Sequence, residues 1–171
     1  MVDDLEIRLL QPNDIPEITT AFEELGWNKP AAQYERYLVE QGRGESEVLV
    51  AFEHDVFAGY LTVVWQSAYQ PFGRANIPEV VDFNVLPHLR RRGIGSRLMD
   101  AAERRIAERS PVAGIGVGMD ADYGAAQRLY VLRGYVPDGL GLSSHGRRIT
   151  HGQTIVVDDD LALYFTKNLC P

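Results

Sequence analysis

The sequence predicts a mixed α/β fold, one sheet with flanking helices, in a single domain over residues 1–171. Three observations carry this. Stretches rich in β-branched and aromatic residues, or alternating apolar and polar, are interleaved with stretches whose apolar residues fall three and four apart. Their order reads β-α-α-β-β-β-α-β-α-β-β, without internal repeat, linker or low-complexity tract, which is the pattern of a mixed sheet rather than of separate α and β domains. At 171 residues, with 45% hydrophobic and 24% charged, the chain is long and apolar enough for one real core.

Residues 5–10 alternate as a short strand, and Pro12-Asn13-Asp14 turns the chain into a helix striped by Ile15, Ile18, Ala21 and Phe22. Gly26-Trp27-Asn28-Lys29-Pro30 breaks that helix, and a second, over residues 31–40, carries Tyr34, Tyr37 and Leu38. Trp27, Tyr34 and Tyr37 read first as packing residues. Residues 47–52 and 56–65 form two strands joined only by Glu53-His54-Asp55, hence an antiparallel hairpin. The segment 66–78, with Tyr69, Pro71, Phe72 and Gly73, is too irregular for an element and reads as a surface loop.

The central stretch follows. Val80 to Leu86 is a strand that Pro87 ends, because proline has no N–H and fixes φ. A basic, glycine-punctuated turn, Arg90-Arg91-Arg92-Gly93-Ile94-Gly95, leads into a helix with Ile94, Leu98, Ala102 and Ile106 spaced by four. Strand, glycine-rich basic turn and helix together make a phosphate-holding arrangement: glycines let backbone N–H groups approach an anion, and the helix start favours negative charge. The solvated basic patch is the plainer reading of the arginines, and Arg97 reads as surface. Residues 113–119 form a strand with Ile115, Val117 and Met119 on one face and Gly114, Gly116 and Gly118 on the other. Either a helix packs over that bare face or a cofactor does. Asp120-Ala121-Asp122 caps a helix running to about Arg133, ended by Gly134. A strand begins at Tyr135, residues 139–152 read as a loop, and 154–157 and 161–166 are the last strand segments.

The net charge of −7 argues against a general nucleic-acid binder and is loosely compatible with a cationic substrate. The single cysteine, Cys170, next to last, can form no internal disulfide and is a poor place for a nucleophile. The start lacks a signal peptide's layout and no apolar run is long enough to span a membrane, so a soluble cytoplasmic protein is expected. No metal site is expected.

Two phosphate motifs fail here. Gly95 is followed by Ser96 and Arg97 rather than the lysine of G-x-x-x-x-G-K-S/T, and Leu98 replaces the third glycine of G-x-G-x-x-G. What fits is R-x-x-G-x-G at Arg90, Gly93 and Gly95, with a V-x-P strand end eight residues ahead of Gly93. This resembles the acetyl-coenzyme A pyrophosphate loop of the GNAT N-acetyltransferase superfamily. A second fragment, Ala126, Leu129, Tyr130, Gly134 and Tyr135, matches that family's A-x-x-L-Y-x-x-x-G-F/Y pattern about forty residues on. The resemblance covers the chain in outline and is specific over Glu79 to Tyr135.

The resemblance implies the GNAT fold, a mostly antiparallel mixed sheet with splayed parallel fourth and fifth strands, and acetyl-CoA as cofactor. Backbone N–H groups of Arg91, Arg92, Gly93, Ile94, Gly95 and Ser96 would bind the pyrophosphate, with Arg90 shaping the loop. A distortion at Asn84-Val85 would splay the strand and free the Val85 N–H to donate to the thioester carbonyl, an oxyanion-hole-type element. Phe83 would pair its backbone with the pantetheine amides. Tyr130 matches the tyrosine near the coenzyme A sulfur, against a plain packing role. At pKa ~10 it is roughly matched to a thiolate of about 8.5. For the base, Glu79 comes first and Asp82 second, since alternation should aim Asp82 and Asn84 at the face opposite Val85. Tyr123 departs from the asparagine many relatives have there, which puts one pantetheine contact in doubt, with Asp120 or Asp122 as substitutes. Trp27, the 66–78 loop, and the late loop with His145 and His151 would wall the acceptor.

The expected function is acetyl transfer from acetyl-CoA to a primary amine (a small amine such as an aminoglycoside, polyamine or amino-acid derivative) by direct attack in a ternary complex. The alternatives are protein N-terminal or lysine acetylation, or a non-catalytic acyl-CoA-binding or sensing domain. No nucleic-acid or membrane partner is expected, and a homodimer through the last strands is plausible on the need to cover an edge.

Overall fold

Strand β1 (Leu5–Leu9) opens the described part of the computed structural model, which covers residues 4–170. Met1 to Asp3, where the absence of a leader was partly read, and Pro171 lie outside it. The later elements are α1 (Ile15–Glu24), α2 (Ala31–Gly42), β2 (Ser46–Glu53), β3 (Val56–Val64), α3 (Gln70–Ala75), β4 (Glu79–Val85), α4 (Ile94–Ala107), β5 (Val112–Gly118), α5 (Gly124–Leu132), β6 (Val136–Ser144), β7 (Arg147–Arg148) and β8 (Leu161–Asn168). The strands form one mixed sheet in the order β1-β2-β3-β4-β5-β8-β6-β7. Strands β4 and β5 pair in parallel, through Glu79↔Gly114 and Val80↔Ile115. The chain divides into two compact units: residues up to Val64 with Asp82–Ala102, and Trp65–Val81 with the residues from Glu103 on.

In the first unit, β1, β2 and β3 are an antiparallel meander, running from Leu5↔Glu53 to Leu9↔Leu49 and from Ser46↔Val64 to Glu53↔Val56. The β2–β3 hairpin turns on His54 and Asp55, both left-handed at φ 51° and 62°, as the tight right-twisted hairpin turn requires. Its core packs Ile18 and Phe22 of α1 and Tyr34 of α2 against Val48, Phe57 and Tyr60 of the sheet. Phe22 is fully buried, edge-on to Phe57 and Tyr60, and Trp27 stacks on it at 5.7 Å between centroids. Trp27 is therefore held by packing, and truncating Phe22 to alanine would cost about 3–5 kcal/mol.

In the second unit, β8 pairs antiparallel with β5 along its full length, from Val112↔Asn168 to Gly118↔Ala162, and with β6 on its other side. The bare glycine face of β5, which the sequence leaves open to a helix or a cofactor, carries aromatic rings, one of them Phe72 of helix α3. An added Cβ would come within 2.4 Å of Phe72 at Gly114, 2.8 Å of Tyr164 at Gly116 and 2.4 Å of Tyr123 at Gly118.

Three local readings are corrected. The 66–78 segment holds a short helix, α3, whose Phe72 is the ring seated on Gly114. Residues 139–152 are not all loop: β6 runs on to Ser144, because Gly139 and Gly141 take φ of 83° and 76° and absorb a register shift between Pro137 and Leu142. Thr154 to Val157 form no strand. Val156 and Val157 are exposed, so the β-branched run has nothing to pair against.

Candidate functional site

The basic turn sits between a 3-10 turn, Pro87–Leu89, and α4. Arg91 and Gly93 both adopt left-handed backbone, at φ 64° and 83°. This curls the chain directly ahead of the first turn of α4. The first intrahelical bond there is from Arg97 N–H to the Gly93 carbonyl, 3.1 Å. The three arginines separate by partner. Arg90 folds back, its Nε donating to the Val85 carbonyl at 3.1 Å. Arg92 pairs with buried Glu53 at 3.0 Å. Arg91 is exposed. Gly95 sits close against the strand: a Cβ there would lie 3.1 Å from Phe83 Cζ and in ordinary contact, 3.6 Å, with Val85 Cγ2. Ile94 is buried and Ser96 half-buried beside it. Left-handed turn and helix start together suit an anion such as a pyrophosphate, whose charge fixed N–H dipoles would meet.

Phe83 and Val85 thus face the start of α4, and the neighbours Asp82 and Asn84 face the other way. Asp82 is itself left-handed, at φ 50°, in the middle of a strand. This costs on the order of 1 kcal/mol, less for aspartate than for most residues. The distortion expected at Asn84-Val85 therefore starts earlier, directly after the last β4–β5 pair at Val80. Beyond it the backbone presses on β3: a Cβ at Gly59 would come 2.5 Å from the Asn84 carbonyl oxygen and 3.0 Å from Val85 Cα. Only glycine permits that approach.

The Asp82 carboxylate accepts five hydrogen bonds. Lys29 Nζ (2.5 Å) and Asn84 Nδ2 (2.9 Å) donate to Oδ1; Tyr60 Oη (2.5 Å), Gln33 Nε2 (2.8 Å) and Tyr37 Oη (2.9 Å) donate to Oδ2. Burial opposes its charge, but the bonds from Lys29 and Tyr60 and the lysine's charge outweigh it, and its pKa lies below the usual carboxylate value. A saturated, strongly ionised carboxylate is a weak base. Burial first, and then the Asp82 charge and hydrogen bond, push the Tyr37 phenol up to about 12.

Glu79, in the second unit, has the opposite surroundings. It is 7% exposed, and Ser67 Oγ donates to its Oε2 at 2.5 Å. Burial raises its pKa, and the Ser67 bond only partly offsets that. Around it lie aromatic rings: Tyr69 stacks flat on Tyr164 at 3.6 Å, and Phe72 stands edge-on to both. Tyr69 Oη donates to Asp138 at 2.8 Å. Burial and then the Glu79 charge push Tyr164 up to about 12. This is a stronger carboxylate base in an aromatic wall with a second, half-exposed carboxylate.

Tyr130 on α5 is 4% exposed with its ring 6.1 Å from that of Tyr135. Burial alone pushes its phenol well above the usual value. Tyr123 covers Gly118 and donates to Asp159 at 3.0 Å, occupied with its own strand and loop. His145 and His151 are exposed, the former 3.1 Å from Asp160. The sequence reading missed Lys29, Gln33 and Tyr60 on one carboxylate, and Ser67, Asp138 and Tyr164 near the other. Lys29 and Asp82 are 53 residues apart, with no local pattern to link them.

Solved structures match the chain closely in fold. A ribosomal-protein-alanine N-acetyltransferase from Brucella melitensis superposes with TM-score 0.70 at 20% identity, covering 95% of this chain and 99% of that one. The yncA protein of Salmonella typhimurium, solved with acetyl-CoA, gives 0.65 at 20% identity, covering 98% and 95%. A spermidine N-acetyltransferase chimera from Vibrio cholerae gives 0.68 at 14% identity, covering 98% and 96%. At these identities they speak for the fold. A search of curated proteins found no match. The profile of the acetyltransferase (GNAT) family matches residues 13–135, the stretch that holds the left-handed turn, the kinked β4 and both carboxylates, and the chain belongs to that family.

Proposed function

We propose that the protein transfers the acetyl group of acetyl-CoA to a primary amine by direct attack within a ternary complex. The observation that carries this is the turn ahead of α4, with Arg91 and Gly93 left-handed, Arg90 bound to the Val85 carbonyl, and Gly95 close against Phe83. Backbone N–H groups of the turn and helix start would hold the pyrophosphate, and Phe83 the pantetheine arm. Acetyl-CoA supplies an activated thioester. The amine nitrogen attacks its carbonyl carbon, a C–N bond forms and the C–S bond breaks. The Val85 N–H stabilises the charge on the carbonyl oxygen. Glu79 takes the proton the amine sheds, directly or through water, and its raised pKa makes it the stronger base of the two carboxylates. Tyr130 is the proton donor to the thiolate by resemblance, and burial keeps its phenol protonated.

A small cationic amine is favoured as acceptor over a protein N-terminus or lysine by the enclosed surroundings of Glu79, with Tyr69, Tyr164 and Asp138 at hand. We place the protein in the cytoplasm, with dimerisation through the β7 edge to be read from sedimentation. No helix among the described residues is long and apolar enough to cross a membrane.

Calorimetry with acetyl-CoA, followed by thiol release against small amines and peptide N-termini, tests the reading. Tight binding with turnover on small amines is expected. Binding with turnover on peptides alone moves the acceptor to protein. Binding without turnover on either favours an acyl-CoA sensor, and no binding overturns the proposal.

A further inference from the structure

We propose that Asp82 is a positioning residue: its carboxylate, held by Lys29, Gln33, Tyr37, Tyr60 and Asn84, locks β4 in its kinked path and so sets the Val85 N–H where it is needed. The role given to Val85 rests on the acetyl-transfer reading above, but the lock itself does not.

Three independent features converge on Asp82. Its own backbone is left-handed, so the strand changes course at this residue. Its five donors come from every element around it: Lys29 from the turn between α1 and α2, Gln33 and Tyr37 from α2, Tyr60 from β3 and Asn84 from β4 itself. Downstream, the strand lies so tightly on β3 that Gly59 is obligatory, and Leu86 N–H is bonded to the Ala58 carbonyl at 2.9 Å. A left-handed non-glycine residue persists only where its surroundings over-determine it, and here the surroundings are one carboxylate and its donors. Lys29 also donates to Tyr60 at 3.1 Å and sits over its ring, so the cation is fixed by the same group it helps to fix. The lock ties the Gly26–Pro30 turn to the strand that carries Val85. Ordering of that turn and alignment of the N–H are then one event.

Asp82→Gly and Asp82→Asn test this. Glycine accepts the left-handed backbone without strain but deletes all five bonds, whereas asparagine keeps the shape and loses the charge. If strain relief were what mattered, Asp82→Gly would be neutral or better. The lock predicts that kcat falls about 10²-fold in Asp82→Gly, while acetyl-CoA binding to the basic turn changes less than about 3-fold. Lys29→Met should lose activity, Lys29→Arg should retain more, and Lys29→Met should add little in the Asp82→Gly background. The acidic limb of the pH–rate profile must survive in Asp82→Asn; its disappearance would make Asp82 the base and overturn the inference. Amide hydrogen exchange at Leu86, whose N–H is held by the Ala58 carbonyl, reads the lock without any turnover. Exchange should quicken at least about 10-fold in Asp82→Gly, and unchanged protection would sink the idea. A wild-type protein that fails to bind acetyl-CoA would refute the acetyl-transfer proposal and leave this exchange experiment decisive.

Discussion

Asp82 and Glu79 are carboxylates on the same strand, three positions apart, both largely buried, yet their chemistry is opposite. Burial raises the pKa of each. At Asp82 five donors, one of them a lysine, overcome that and hold the charge. At Glu79 one serine hydroxyl does not, and the proton is held more tightly. The difference teaches that neither residue type nor depth decides which carboxylate can act as a base. The number and charge of its donors do. In the proposed mechanism the saturated carboxylate fixes geometry and the other one takes the proton.

The comparison breaks most directly at Glu79. Glu79→Gln should lower kcat about 10³-fold, a general-base contribution, with acetyl-CoA affinity nearly unchanged. Because the Glu79 pKa is raised, the acidic limb of kcat/KM should lie above the ordinary carboxylate range and vanish in the variant. A variant with full activity and an intact limb would remove Glu79 from the mechanism.

At the other carboxylate the expected loss is one of stability. Lys29→Met keeps the aliphatic stem but leaves Asp82 charged, buried and short of its cation, which should cost about 3 kcal/mol in urea unfolding at pH 7. The sign with pH follows from the lowered folded pKa. Asp82 contributes stability above its unfolded value, and that contribution is lost as pH falls through the folded one. The gap between wild type and Lys29→Met should therefore close in acid; a gap independent of pH would mean that the lysine acts through packing alone.

Much of this was legible in the sequence, and what was not has a physical reason. The bend of the basic turn could be read because a left-handed backbone is written locally, as at Gly93. The helix behind it could be read because Ile94, Leu98, Ala102 and Ile106 are all buried, as their spacing implies. The glycines of β5 announced a bare face but not its occupant, since Phe72, Tyr123 and Tyr164 come from three distant segments. Gly139 and Gly141 looked like loop because a strand that uses left-handed glycines for a bulge has the composition of a loop. The two carboxylates could be named but not ranked with a reason: the donors that separate them, Lys29 on one and Ser67 on the other, meet them only in the folded chain.

Tyr130 sharpens the comparison from the acid side. Reference values make a phenol and a thiolate roughly matched, but burial pushes Tyr130 upward and makes the transfer uphill. Tyr130→Phe should therefore cost only about 10-fold in kcat, with solvent or the outgoing amine proton serving instead. A loss as large as that at Glu79 would show that the phenol becomes far more acidic when substrates bind.

The smallest effect is the most diagnostic, because it has the opposite sign to the largest. Burial disfavours the charged form of Glu79, so protonation favours the folded wild type. Its stability is fullest below the unfolded carboxylate value and declines as pH rises through the raised folded one. Glutamine removes that decline and its Oε1 still accepts the Ser67 hydroxyl. Glu79→Gln should thus be more stable than wild type by about 1 kcal/mol at pH 7, with the advantage disappearing near pH ~4. Thermal unfolding across pH measures it. A variant that loses activity and gains stability only above that range shows a base kept reactive by the lack of donors, whereas equal stability at all pH values would mean that Glu79 is not strained by its burial and that its contrast with Asp82 is smaller than the structure implies.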